Sequence, residues 1–157
     1  MHYPATPGGD SFAIFTSLPL LGTVQIANLG AGTRMSKVAK LAVAFGGSGF
    51  VGRHAVEALA RRGYRVRAAV RRPDLAGHLQ PMGAVGQIQA VQANVRYPES
   101  VEAAVVGADV VINFVAILAP SGRQTFEALH VEGARAVARA AREAGAKRLI
   151  HISSLGA

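Results

Sequence analysis

Short apolar runs alternate with amphipathic stretches from Lys40 to the end of the chain. Leu41 to Phe45 is uniformly apolar, too short for a helix core and suited to a parallel strand covered on both faces. Val51, Ala55, Ala58 and Leu59 then share one helical face that closes at Arg61, Arg62 and Gly63, a C-terminal signature. Tyr64 to Val70 predicts a second strand, ended by Pro73, and Leu75 to Gln80 a short helix, broken by Pro81, Met82 and Gly83. Ile88 to Ala93 reads as the third strand. Pro98 suits the first turn of a helix over Glu99 to Val106, closed by Gly107. Val110 to Phe114 is the fourth strand, apolar but for Asn113. Phe126, Leu129, Gly133, Val137 and Ala141 mark one face of a long helix over Thr125 to Ala144, capped by Gly145, and Leu149 to Ile152 the fifth strand.

Strands alternating with helices predict an α/β fold, a doubly wound parallel sheet of the Rossmann type. Right-handed crossovers give the strand order 3-2-1-4-5, with a ligand lying across the carboxyl ends of strands one and four. Between the first strand and helix stand Gly46, Gly49 and Gly52. Gly46 permits a sharp turn, Gly49 lets a pyrophosphate approach the backbone, and Gly52 lets the helix pack closely. The first-turn N–H groups of that helix then face an anion. A glycine triplet alone would be weak evidence; the preceding strand, following helix and second strand make it a dinucleotide signal.

Residues 1–34 mix Pro4, Pro7 and Pro19 with glycines and hold no useful periodicity, which predicts an irregular extension ahead of a domain over 35–157. Phe12 to Leu29 is moderately apolar but interrupted, with no preceding Lys or Arg, which argues against a signal peptide or membrane span. Half of the 157 residues are hydrophobic, enough for one domain with a core. The absence of cysteine excludes disulfides and thiolate metal sites. His54, His78, His130 and His151 have no metal or triad spacing, so no metal is expected.

The net charge of +8 concentrates in Arg61, Arg62, Arg65, Arg67, Arg71 and Arg72. These arginines follow a helix end and a strand, with no aromatic platform, so a basic rim serving an anionic cofactor is preferred to a nucleic-acid surface. An NAD site usually places an acid after the second strand, whereas Val70 is followed here by Arg71 and Arg72, with Asp74 beyond a proline. That favours NADP(H) over NAD(H); an Arg–phosphate contact is worth roughly 1.5 to 3 kcal/mol. Arg53 is placed to assist.

FGGSGFVGRH, AAVRRP, ANVRYPESV, VVINFVAIL, HVEGARAVARAAREAG and KRLIHISSLGA resemble, in order, the amino-terminal half of the extended and atypical short-chain dehydrogenase/reductase superfamily. More narrowly, they are similar to its branch related to the NADPH-binding accessory subunit nine of the respiratory complex I alpha subcomplex, which includes proteins labelled NAD-dependent epimerase/dehydratase. The likeness covers Val38 to Ala157. It implies that Gly46, Ser48, Gly49, Phe50, Val51 and Gly52 bind the pyrophosphate and Arg71 the 2′-phosphate. Asn94 and Val95 would flank the adenine, where the superfamily usually has Asp, and Phe114, Val115 and Ala116 would line the adenosine and ribose. Ser154 matches the catalytic serine, with Ser153 the adjacent alternative and a strand-end cap the structural reading of either.

The superfamily's Tyr-x-x-x-Lys pair has no counterpart in these residues: four positions after Tyr3, Tyr64 and Tyr97 stand Pro7, Ala68 and Val101. The sixth strand and substrate lobe are also missing, so the resemblance implies an amino-terminal piece. Its first functional expectation is a dinucleotide-binding protein with a mainly structural cofactor, aiding assembly or stability beside complex I subunits. The alternative is part of an NADP-dependent reductase or nucleotide-sugar epimerase/dehydratase. The implied location is the cytoplasm or the inner face of the respiratory membrane, held peripherally.

Overall fold

In a computed structural model of the chain the described residues are 39–153, so the expected extension over 1–34 and Ser154 lie outside them. The apolar runs form β1 (Leu41–Phe45), β2 (Arg65–Val70), β3 (Ile88–Gln92), β4 (Val110–Asn113) and β5 (Arg148–His151). They pair in one sheet in the order β3-β2-β1-β4-β5, as the alternation predicts. All neighbours are parallel. Val43 at the centre of β1 stands opposite Arg67 of β2 and Val111 of β4. Because β1 lies between β2 and β4, the crossovers leave it on opposite sides, and a crevice opens at the carboxyl ends of β1 and β4.

Parallel neighbours need crossovers, supplied by α1 (Phe50–Arg61), α2 (Pro98–Val105) and α3 (Gly133–Glu143). Val43, Phe45 and Val111 pack with Val101, Val105 and Val137 on one face of the sheet, and Ala44, Val66 and Ala68 with Val56 and Leu79 on the other. Coverage of both faces explains why β1 is apolar at every position.

Three local expectations are corrected. The fully buried face of α1 is Gly52, Val56 and Ala60; of the residues expected there, Leu59 packs partly buried at its edge, whereas Val51 is exposed. The face is turned by one residue because a position without a side chain is needed against the preceding loop. Leu75 to Gln80 is not one α-helix but parts of two 3₁₀ segments, Pro73–Leu75 and Gly77–Met82, with Pro81 inside the second. The short, proline-bounded stretch is anchored by buried Ala76 and Leu79, and i→i+3 bonds such as Leu79 N–H to Ala76 O suit so short a run. The long helix opens with a π-helical segment, Glu127–Glu132, before α3. Residues three apart do not superpose on a π turn as they nearly do on an α turn, so Leu129 is buried while Phe126, expected beside it, is 45 % exposed.

The arginine cluster is not all rim. Arg67 projects from β2 and its Nη1 donates to the carbonyls of Ala104, at 2.7 Å, and Val106, at 2.9 Å. It thereby satisfies the carbonyl end of α2. At the amino end of the sheet the Asp109 carboxylate accepts from the Leu41 N–H at 3.0 Å and from Lys147 Nζ at 3.2 Å, tying the starts of β1, β4 and β5 together. The Leu41 amide first and then the Lys147 ammonium hold the Asp109 carboxyl below the usual carboxylate range.

Candidate functional site

The chain leaves β1 through Gly46 at φ +73, a left-handed conformation that favours glycine. The Gly46 N–H donates to Ala69 O at 2.9 Å, fastening the turn to β2. Gly52 comes up against this turn: a Cβ there would stand 2.3 Å from Gly46 O and 2.8 Å from Gly47 Cα. Gly47 is itself confined, since its Cβ would meet Ala44 O at 3.1 Å and Val56 Cγ2 at 3.2 Å. Absent side chains at both positions let the start of α1 descend onto the turn, so Gly52 packs on Gly46 and Gly47 rather than directly on the sheet. No side chain among the described residues caps α1. Among the described residues, the N–H groups of Phe50, Val51 and Gly52 make no hydrogen bond, and Arg53 is the first to find a carbonyl, Gly49 O at 2.9 Å.

Above the turn, at the carboxyl ends of β1, β2 and β4, lies a cleft of about 240 Å³. Gly46, Ser48, Gly49, Arg71, Asn94, Val95, Phe114, Val115 and Ala116, all expected at a binding site, line it together. Phe50, Val51 and Gly52 do not line it. Gly52 is buried behind the turn, and Phe50 is 74 % exposed, with the Arg53 guanidinium 5.2 Å from its ring centre. Arg53 is therefore engaged on the outer surface of α1. Ser154 is outside the described residues.

Local hydrogen bonds shape the remaining walls. Buried Asn113 accepts the Val115 N–H on Oδ1 at 3.0 Å, which turns the chain after β4, and its Nδ2 faces His151 Nδ1 at 3.2 Å. Asn94 Oδ1 accepts the Arg96 N–H at 3.2 Å, and the Asn94 N–H donates to Ser100 Oγ at 3.0 Å. Asn94 thus builds its own loop, as a short amide side chain can. Ile117 N–H donates to His130 Nε2 at 2.9 Å, so this histidine, unassigned from spacing, steadies the cleft wall.

Sequence reasoning also missed Arg96, Ile117, Gln124 and Leu129 as lining residues. Arg96 Nη1 donates to Arg123 O at 3.3 Å, and its buried Nε has no hydrogen-bond partner among the described residues. Arg71 Nη1 donates to Gln124 Oε1 at 2.6 Å. Gln124 gives no signal in sequence, because it is brought over the cleft by a turn in which Ser121 and Gln124 exchange both backbone hydrogen bonds at 3.0 Å.

The charge of the cleft is one-sided: Arg71 and Arg96 line it and no carboxylate does among the described residues. The nearest acid in sequence after β2, Asp74, is paired with Arg72 at 2.7 Å. That guanidinium hydrogen bond holds the Asp74 carboxyl below its ordinary range. The arrangement suits a ligand with apolar planar parts and several negative charges, received by backbone N–H groups at one end and guanidinium groups at the other.

Comparison with known proteins points the same way. A family model described as NAD(P)H-binding matches residues 46–157. The chain is 37% identical over 130 residues to NADH dehydrogenase (ubiquinone) 1 alpha subcomplex subunit 9, mitochondrial, of Mus musculus, covering 82% of this chain and 34% of that protein. It is 37% identical over 112 residues to a ceramide reductase of Caulobacter vibrioides, covering 71% and 34%. The chain thus spans about a third of the length of these curated relatives. A UDP-glucose-4-epimerase structure from Stenotrophomonas maltophila, solved with bound NAD, shares the fold at TM-score 0.63 and 22% identity, over 74% of this chain and 37% of that one.

Proposed function

The chain belongs to the NAD(P)H-binding family, and from that premise we propose that its cleft takes NADP(H) in preference to NAD(H). The observation that carries this reading is the pair Arg71 and Arg96 lining a cleft that, among the described residues, holds no carboxylate, above a glycine turn whose helix leaves its first N–H groups without partners among those same residues. In this reading the N–H groups at the start of α1, with Ser48 and Gly49, receive the pyrophosphate, and Phe50, Val51 and Gly52 contribute backbone rather than side chains. Arg71 receives the 2′-phosphate. Asn94 and Val95 flank the adenine, while Phe114, Val115 and Ala116 border the adenosine ribose. Among the described residues no carboxylate lines the cleft to repel a 2′-phosphate.

The role that best fits is that of an accessory protein of the complex I type, in which the dinucleotide stabilises the fold and supports assembly beside respiratory subunits. Similarity to alpha subcomplex subunit 9 supports it. A ligand that binds only the folded state adds about 2.7 kcal/mol of stability at a hundred times its Kd, so a purely structural cofactor is energetically sufficient. Among the described residues no helix is long and apolar enough to cross a membrane, which accords with peripheral association. A second reading, reduction of a carbonyl by hydride from NADPH, is favoured by the likeness to the ceramide reductase; Ser154 would there touch the carbonyl.

Titration calorimetry with NADPH and NADH, beside thermal unfolding with each, tests the proposal. Tighter NADPH binding and a larger rise in Tm are expected. Equal affinities overturn the NADP(H) preference, and NADPH oxidation with added ketones, lost in Ser154→Ala, replaces the accessory role by the reductase one.

A further inference from the structure

We infer that Gln124 is a positioning residue for Arg71, holding one edge of its guanidinium so that the other is presented to a 2′-phosphate; this rests on reading the cleft as an NADP(H) site. Arg71 directly follows the buried carboxyl end of β2 and is itself exposed, on a long, rotatable side chain. Its one hydrogen bond among the described residues runs from Nη1 to Gln124 Oε1, at 2.6 Å, the short distance of a charge-assisted contact. Nε and Nη2 make none among the described residues. A guanidinium grips a phosphate through two parallel N–H groups, and the Nε–Nη2 edge is such a pair. Gln124 thus occupies the part of Arg71 that a bidentate phosphate contact leaves over.

Gln124 is itself held. Its backbone exchanges two hydrogen bonds with Ser121, across a turn that contains Gly122 at φ +55. The neighbouring Arg123 carbonyl accepts from Arg96. Two arginines, Arg71 just after β2 and Arg96 in the loop after β3, therefore fasten this turn over the cleft. The residue type matters as well. A carboxylate at position 124 would hold Arg71 equally well but would place a negative charge beside the phosphate, whereas an amide offers the same acceptor without charge.

The test is the dissociation constants of NADPH, NADH and adenosine 2′,5′-bisphosphate for the whole chain as wild type, Gln124→Ala, Gln124→Glu, Arg71→Ala and the Arg71→Ala, Gln124→Ala double variant. Circular dichroism first confirms folding of each. Gln124→Ala should weaken NADPH and the bisphosphate roughly three- to tenfold, the worth of one ordering hydrogen bond, and NADH by clearly less. Gln124→Glu should weaken NADPH further, and the double variant should bind NADPH no worse than Arg71→Ala alone. Unchanged or tighter NADPH binding by Gln124→Ala, with Arg71→Ala still impaired, overturns the positioning role while the NADP(H) reading stands. Loss of discrimination in wild type and no effect of Arg71→Ala overturn both.

Discussion

A Cβ added to Gly133 would lie 2.9 Å from Cγ2 of Val95 and 3.2 Å from the Ala128 carbonyl oxygen. Val95 lines the cleft, so the first residue of α3 is packed directly behind the cleft wall. Gly133→Ala should therefore lower stability by about 1 kcal/mol, because overpacking costs roughly 1–3 kcal/mol and the better helix propensity of alanine returns part of it. Denaturant unfolding checks this. In a Val95→Ala background the same substitution should become neutral or stabilising, and an additive penalty would refute the contact as its source.

Gly52→Ala meets backbone rather than side chain. With Gly46 O at 2.3 Å and Gly47 Cα at 2.8 Å from the added atom, either the turn or the start of α1 must move. A loss of about 1–3 kcal/mol is expected together with loss of NADPH binding. Thermal unfolding and calorimetry measure the two effects, and a variant that keeps both normal would show that the close approach is dispensable.

Arg67 separates structural from binding arginines. Arg67→Met keeps the aliphatic stem but leaves the Ala104 and Val106 carbonyls without their donor. The expected cost is about 1–2 kcal/mol, one to two net hydrogen bonds, with unchanged NADPH affinity because Arg67 does not line the cleft. Weaker binding by a stable Arg67→Met protein would contradict this division.

The Asp109 carboxylate should make stability depend on acid pH. Its folded pKa is depressed, mainly by the Leu41 N–H and then by Lys147, so its contribution is fully present above the unfolded value of about 3.9. It is lost as pH falls through the lower folded value. Asp109→Asn should destabilise the protein at neutral pH, and the gap from wild type should narrow toward about pH 3. A gap independent of pH between neutrality and acid would argue against the ionised carboxylate as its cause.

Strand order and the location of the crevice were legible because they follow from one-dimensional signals: buried parallel strands are apolar throughout, and right-handed crossovers allow few orders. The glycine spacing likewise announced the turn, and Gly46 at φ +73 answers to it. Gly47 was not readable as a packing residue, since only its nearness to Ala44 and Val56 reveals the need. The face of α1 was read one residue off because glycine counts as neutral in an apolar pattern, although at Gly52 the absence of a side chain is what faces inward. Gln124 and His130 were invisible for a different reason. Each acts through a partner distant in sequence, Arg71 for one and the Ile117 amide for the other, and polar pairings of this kind leave no periodicity.

The wide turn at Glu127–Glu132 is, in effect, an α-helix carrying one surplus residue. An α-helix advances about 100° per residue, so deleting one residue here would restore the regular ladder only by swinging everything ahead of it through that angle relative to α3. Leu129 would leave the core, His130 would leave the Ile117 amide, and the turn bearing Gln124 would be carried away from Arg71. The length of this segment, independent of its composition, is thus the setting that aligns one wall of the cleft with the guanidinium on the other.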